Sequence, residues 1–173
     1  MPDLGATLGG GVGHFDKLGN ACVKFHLCGV KHDEPGVEYT GIIDTGFTGF
    51  VQLPMQYAFA LGLPLHGTLT VTLADGSQFV CLAALAKVTI AGKQETGIVT
   101  LAPDATEILV GMDLLRRFNL GLFVLKGLVL LISEDFIAEQ VKKAAALQAA
   151  PATSADSIAP APPSEPPDSA PEE

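Results

Sequence analysis

The chain has 173 residues, 48% of them apolar and only 17% charged, with a formal net charge of −9. This length suits one domain with a sizeable core, and the composition describes a well-buried β protein. No basic patch points to nucleic acid, three cysteines are too few and odd in number for a disulfide scaffold, and no apolar run is long enough to span a bilayer.

Met1 to Gly13 is glycine-rich and lacks the basic start and apolar stretch of a signal peptide. Residues 1–19 therefore read as a flexible N-terminal segment, and the cytoplasm is the default location. A strand is predicted over Ala21–Cys28, with Ala21, Val23, Phe25 and Leu27 facing the core. Cys22, His26 and Cys28 then share its outer face and, with His32 nearby, raise the question of a metal. A strand rises about 3.3 Å per residue, which puts Cys22 and Cys28 roughly 20 Å apart, too far to share one zinc ion. His14, His26, His32 and His66 follow no triad or ligand spacing, and Cys81 reads as a small apolar strand residue. Neither a metal nor another cofactor is expected.

The next strand, Val37–Ile43, ends in a β-branched pair and runs directly into Asp44-Thr45-Gly46-Phe47-Thr48-Gly49. A carboxylate at the tip of a rigid strand, with glycines that let the backbone turn, is well supported for chemistry. An Asp-x-Gly turn is also an ordinary connection between strands. Strand Phe50–Leu53 leads into a helix over Pro54–Leu61, closed by Gly62 and Pro64. Thr68–Leu73 and Gln78–Ile90 alternate as strands around Asp75-Gly76, where Asp75 is a turn former. Gln94–Leu101 follows. Glu107–Val110 is then a short apolar strand ending at Gly111, with a helix over Met112–Phe118 in which Asp113 faces the positive end of the dipole.

Gly121–Leu125 and Leu128–Ile132 form a hairpin about Lys126-Gly127. Ser133 caps a last helix reaching Ala149, with Phe136, Ile137, Val141 and Ala144-Ala145 at helical spacing, free to pack on the domain or on a second subunit. Pro151 to Glu173 is built of Pro, Ala, Ser and five acids; without those acids the formal charge is −4. Such a segment buries too little apolar surface to offset its ordering entropy and reads as disordered. The division that follows is 1–19, a domain over 20–133, a helix over 134–149 and a tail over 150–173. Many short strands with glycine turns, and no alternating long helices, predict an all-β, small closed barrel with two short helices.

The Asp44-Thr45-Gly46 loop and the later Ile108-Leu109-Val110-Gly111 strand, with a hairpin between them, resemble the retropepsin-like aspartic proteases. This is the single-domain family that includes the retroviral enzymes, and the likeness here is to its bacterial or archaeal type. It covers about Ala21 to Ile132 in order and spacing. The resemblance implies that Asp44 is the catalytic acid and base, that Thr45 braces the loop across a dimer, and that Gly46 offers its N–H to the carboxylate. Thr48 stands where retroviral enzymes usually carry an acid and looks like the hydroxyl residue of pepsin-type enzymes. Gly111 packs under the loop, and Ala74, Asp75, Gly76 and Ser77 form the flap tip, here without a tyrosine.

Peptide hydrolysis by carboxylates needs one acid ionised and one protonated, and two carboxyls about 3 Å apart share a proton because both cannot ionise. One Asp-Thr-Gly in a chain this short implies a second copy, so the expected partners are a homodimer mate and a polypeptide substrate, with neither membrane nor nucleic acid. The activity expected is that of an aspartic-type endopeptidase. The alternative is a binding or dimerisation module on the same barrel, with Asp44 kept as a structural acid.

Overall fold

The computed structural model describes residues 8–32, 36–73 and 75–149. The order is β1 (Gly11–Phe15), β2 (Ala21–Gly29), β3 (Val37–Ile43), β4 (Val51–Pro54), α1 (Met55–Ala60), β5 (Leu65–Thr72), β6 (Gln78–Ile90) and β7 (Lys93–Ala102). It continues with β8 (Leu109–Val110), α2 (Met112–Arg117), β9 (Leu120–Leu125), β10 (Leu128–Ser133) and α3 (Glu134–Ala149). The ten strands form one mixed sheet in the order β5-β6-β7-β4-β8-β3-β2-β1-β10-β9. The pairs β3–β8 and β4–β7 are parallel, and the others are antiparallel.

The expected all-β architecture is seen as a single mixed sheet, which is not evenly round. It curls far enough for β6 to pair with β2 as well as with its sheet neighbours. The long strand β2 is what permits the fold-back. Its first residues pair with β1 (His14 opposite Cys22), and its last four pair with β6 (Cys28 opposite Lys87), while β3 runs along the other side. Side chains on the concave side make the core, with Val23, Phe25, Leu27, Leu53, Val88, Leu101, Leu114 and Leu131 fully buried. Each such burial contributes about 1.5–3 kcal/mol before the entropy of ordering is subtracted.

The sequence reading is corrected at several places. Gly11–Phe15, assigned to the flexible segment, is strand β1, hydrogen-bonded between β10 and β2. Its glycines serve close approach rather than freedom: a Cβ on Gly10 would lie 2.0 Å from the Leu131 carbonyl oxygen, and one on Gly13 would lie 2.2 Å from that of Cys22. Cys22 and Cys28, expected on an outer face, are both buried. Strand β5 starts at Leu65, before Thr68, by absorbing an extra residue, His66, in a bulge next to Gly67, which takes φ +129°.

Helix ends follow local chemistry. Pro54, with φ −55°, is the N-cap of α1, and Gly62 turns the chain out of it at φ +58°. Asn119 takes the left-handed position after α2 at φ +52°, and its carbonyl accepts the Glu134 N–H that begins α3. The Ser133 hydroxyl accepts the Phe136 N–H, as an N-cap does. Beyond that first turn, α3 is exposed from Glu139 to Gln148. The predicted disordered tail, and residues 1–7 of the N-terminal segment, lie outside the described residues.

Candidate active site

The loop Asp44–Phe50 is held by two other pieces of backbone. On its entry side, the Ile42 N–H donates to the Ile108 carbonyl at 2.8 Å and the Asp44 N–H donates to that of Val110 at 3.0 Å. On its exit side, Gly111, Met112 and Asp113 donate their N–H groups to the carbonyls of Phe50 (3.0 Å), Phe47 (2.9 Å) and Asp113's partner Gly49 (3.1 Å). These three donors are the opening N–H groups of α2, which have no partner inside a helix. Its N-cap, Gly111, has no side chain to cap it, and the loop carbonyls do that work instead.

Glycine is required at this junction for space. A Cβ on Gly111 would sit 2.2 Å from the Gly49 carbonyl oxygen and 2.6 Å from the Phe47 ring; one on Gly49 would sit 2.4 Å from the same ring. The Phe47 ring thus lies against both glycines. Phe50, 2% exposed, fills the space left by Gly97, where a Cβ would come within 2.3 Å of its ring.

The Asp44 carboxyl is half-buried at the tip of β3, and its Oδ1 accepts the Gly46 N–H at 2.9 Å. Among the described residues Oδ2 has no partner. Thr45, Gly46 and Thr48 are exposed, and among the described residues neither threonine hydroxyl makes a hydrogen bond within the chain. Among the described residues Thr48, likened to the hydroxyl residue of pepsin-type enzymes, makes no bond to Asp44.

Over the loop lies a cleft of about 310 Å³, walled by Gly46 to Gly49 on one side and Leu69 to Thr72 of β5 on the other, with Thr100 at its base. No charged side chain lines it. The β5–β6 hairpin therefore overhangs the Asp44 loop. At the hairpin's tip Asp75 Oδ1 accepts both the Ser77 N–H (2.9 Å) and the Ser77 hydroxyl (2.6 Å), and Gly76 turns at φ +84°. These bonds hold the Asp75 carboxyl below its ordinary value. Ala74, the first residue of the expected flap tip, lies outside the described residues.

Other hollows lie away from the loop, two of them as follows. One, of about 230 Å³, is mainly apolar and borders Leu27, Cys28 and Leu61. The other, of about 400 Å³, includes His14, Asp16, Glu38 and Glu107, with Tyr39 and Tyr57 packed edge to face beside it. Among the described residues no group of His, Cys, Asp and Glu is arranged to hold a metal ion.

The fold has a counterpart among solved structures. A retropepsin-like aspartic protease from Rickettsia conorii superposes with a TM-score of 0.50, at 21% identity, over 70% of this chain and 89% of that one. This chain shares its fold. The protease of simian foamy virus (mac) aligns over 55% of this chain and 91% of its own, at 14% identity and a TM-score of 0.40. No protein-family model matches the sequence, and no curated protein matches it.

Within the retropepsin-like fold, the sequence reading brought Asp44, Gly46 and Gly111 to one junction and placed the hairpin above it. It passed over Phe47 and Phe50, whose signal was an aromatic set among glycines in Gly46-Phe47-Thr48-Gly49-Phe50. It also passed over Leu69 and Val71 as cleft walls, although strand alternation put both on one face of β5.

Proposed function

We propose that this chain is an aspartic endopeptidase that hydrolyses polypeptides as a homodimer, its two Asp44 carboxyls sharing one proton across a twofold axis. The observation that carries this reading is a strand-tip carboxyl, oriented by the Gly46 N–H, on a loop whose next residues, Gly46 to Gly49, form one wall of an uncharged cleft with the β5–β6 hairpin as the other. One ionised carboxyl takes a proton from water, and the protonated one donates to the peptide carbonyl oxygen as water adds to its carbon. Collapse of the tetrahedral intermediate returns a proton to the leaving nitrogen. The protons belong to the pair, and neither copy holds one alone.

A single copy has one such carboxyl, so the second must come from another chain. The exposure of Thr45, Gly46 and Thr48 beside Asp44 supports this, since a brace between two loops needs free hydroxyls on the facing surface. The flap role of Asp75, Gly76 and Ser77, closure of the sheet as a barrel around the core, and action in the cytoplasm belong to the same proposal.

Asp44→Asn keeps shape and hydrogen bonding but removes the titrating group. In a mixed-peptide assay it is expected to lose at least about 100-fold in rate, the low end of what acid–base groups supply, with the thermal midpoint unchanged. Cleavage by D44N at the wild-type rate would end the catalytic assignment. Peptide binding by a wild-type chain that cleaves nothing would favour a non-catalytic module. Activity should also fall more steeply than linearly on dilution through the dimer dissociation range. An active monomer in sedimentation over that range excludes the shared pair.

A further inference from the structure

The contacts of α2 with the Asp44 loop do not stop at its first turn. Arg117, in its last turn, donates from Nε to Asp113 Oδ2 at 2.8 Å and from a terminal nitrogen to the Thr96 carbonyl of β7 at 3.2 Å. Its guanidinium lies 5.8 Å from the centroid of the Phe50 ring. Phe50 is the last residue of the Asp44 loop, its carbonyl accepts the Gly111 N–H, and its ring is wedged against Gly97 beside Thr96. Asp113 joins the two ends of the system: its N–H holds the Gly49 carbonyl, and its carboxylate holds Arg117.

We propose that Arg117 is a positioning residue for Asp44, acting through Asp113 and Phe50 to lock the exit side of the catalytic loop onto β7. The proposal rests on the reading of Asp44 as catalytic. Its physical basis is the planar guanidinium, which meets a carboxylate, a backbone carbonyl and a ring face at the same time. A surface ion pair between Arg117 and Asp113 would by itself carry little. Here its function is orientation, because a paired Arg117 cannot swing away from Phe50. The entry side of the loop is fixed by the β3–β8 pairing; on the exit side β4 is paired from Val51 onward, and ahead of it Phe47 to Phe50 are held by the α2 amides and this brace. Loss of the brace leaves the fold in place and lets Thr48–Phe50 drift, and catalytic geometry tolerates about 0.5 Å of drift.

The test uses the full chain with Arg117→Met, which keeps an apolar stem, and Arg117→Lys, which keeps the charge and ring contact but not the fork. Amide hydrogen exchange is read at Gly111, Met112 and Asp113, with the β9–β10 amides as the remote reference. R117M is expected to speed exchange at those three amides about threefold to tenfold, the reference changing less than about twofold, and R117K is expected to recover part of the loss. In the peptidase assay kcat should fall by a similar factor with KM nearly constant, because a misplaced acid affects the transition state and not ground-state binding. Unchanged exchange at the three amides, or acceleration shared equally by β9–β10, overturns the positioning role. If D44N is inactive while R117M keeps wild-type kcat, the inference fails and the catalytic reading stands. If the wild-type chain cleaves no peptide, the exchange measurement decides the role of Arg117 by itself.

Discussion

The Asp44 loop and helix α3 are both near-surface elements, and they are held in opposite ways. The seven residues from Asp44 to Phe50 receive four backbone hydrogen bonds from β8 and α2, or donate to them, and pack an aromatic ring over two glycines. The sixteen residues of α3 are tied to the domain at one end, by the Glu134 and Phe136 amides and a Lys93–Asp135 pair at 3.9 Å, and farther along carry the internal Lys143–Glu139 pair at 2.7 Å. Local order in the loop is thus imposed by tertiary contacts. In α3 it comes from helical propensity plus a cap, which is marginal for a helix of this length alone. Precision of the kind an active site needs is found in the first region and is absent from the second.

The largest effect that would break this comparison is at Gly111. Its missing Cβ faces a backbone carbonyl at 2.2 Å, which cannot rotate aside as a side chain would. Gly111→Ala is expected to cost about 1–3 kcal/mol in urea unfolding and to abolish peptidase activity, since the loop must move away from α2. A G111A chain that unfolds at the wild-type midpoint would show that the loop is not clamped as described.

On α3 the expected effect is smaller. Val141 is 63% exposed, so Val141→Gln should change stability by less than about 0.5 kcal/mol at any protein concentration. A loss that grows on dilution would instead reveal that a second copy covers this helix, and the contrast between the two regions would then hold only for the monomer.

The smallest effect is a pH response at the hairpin tip. Asp75 is lowered from 3.8 chiefly by its bonds from the Ser77 side chain and amide, so the charged form is the one that grips Ser77. A depressed carboxyl contributes above its ordinary value and loses that contribution as pH falls through the lower folded value. The Ser77 amide resonance should therefore shift only below about pH 3.8 and stay constant from pH 5 to 8. A shift near neutrality would mean that another group controls the hairpin tip.

Much of this was legible in the sequence because it depends on local periodicity and turn chemistry. Strands alternate, glycines and prolines mark their ends, and so the elements from β2 to α3 could be placed within a few residues, as could the Asp44 turn at the end of β3. β1 was not legible, because Gly9-Gly10-Gly11-Val12-Gly13 has the composition of a flexible segment, and only the nearness of the Leu131 and Cys22 carbonyls makes those glycines necessary. The buried state of Cys22 and Cys28 was hidden for a related reason: alternation assigns a side chain to a face of β2 but does not say that both faces are covered.

By itself, then, the sequence determined that one carboxylate would stand at a strand tip, followed by a glycine turn and, farther along, by a strand that ends in glycine ahead of a helix. Each of these features spans only a few residues and follows from backbone preferences. Tertiary structure decided that the opening amides of α2 would take the loop's carbonyls, that Phe47 would lie across Gly49 and Gly111, and that Arg117 would reach Phe50. Those contacts join residues up to about 70 positions apart, and no local pattern encodes them, because each depends on how far the sheet curls before its strands meet.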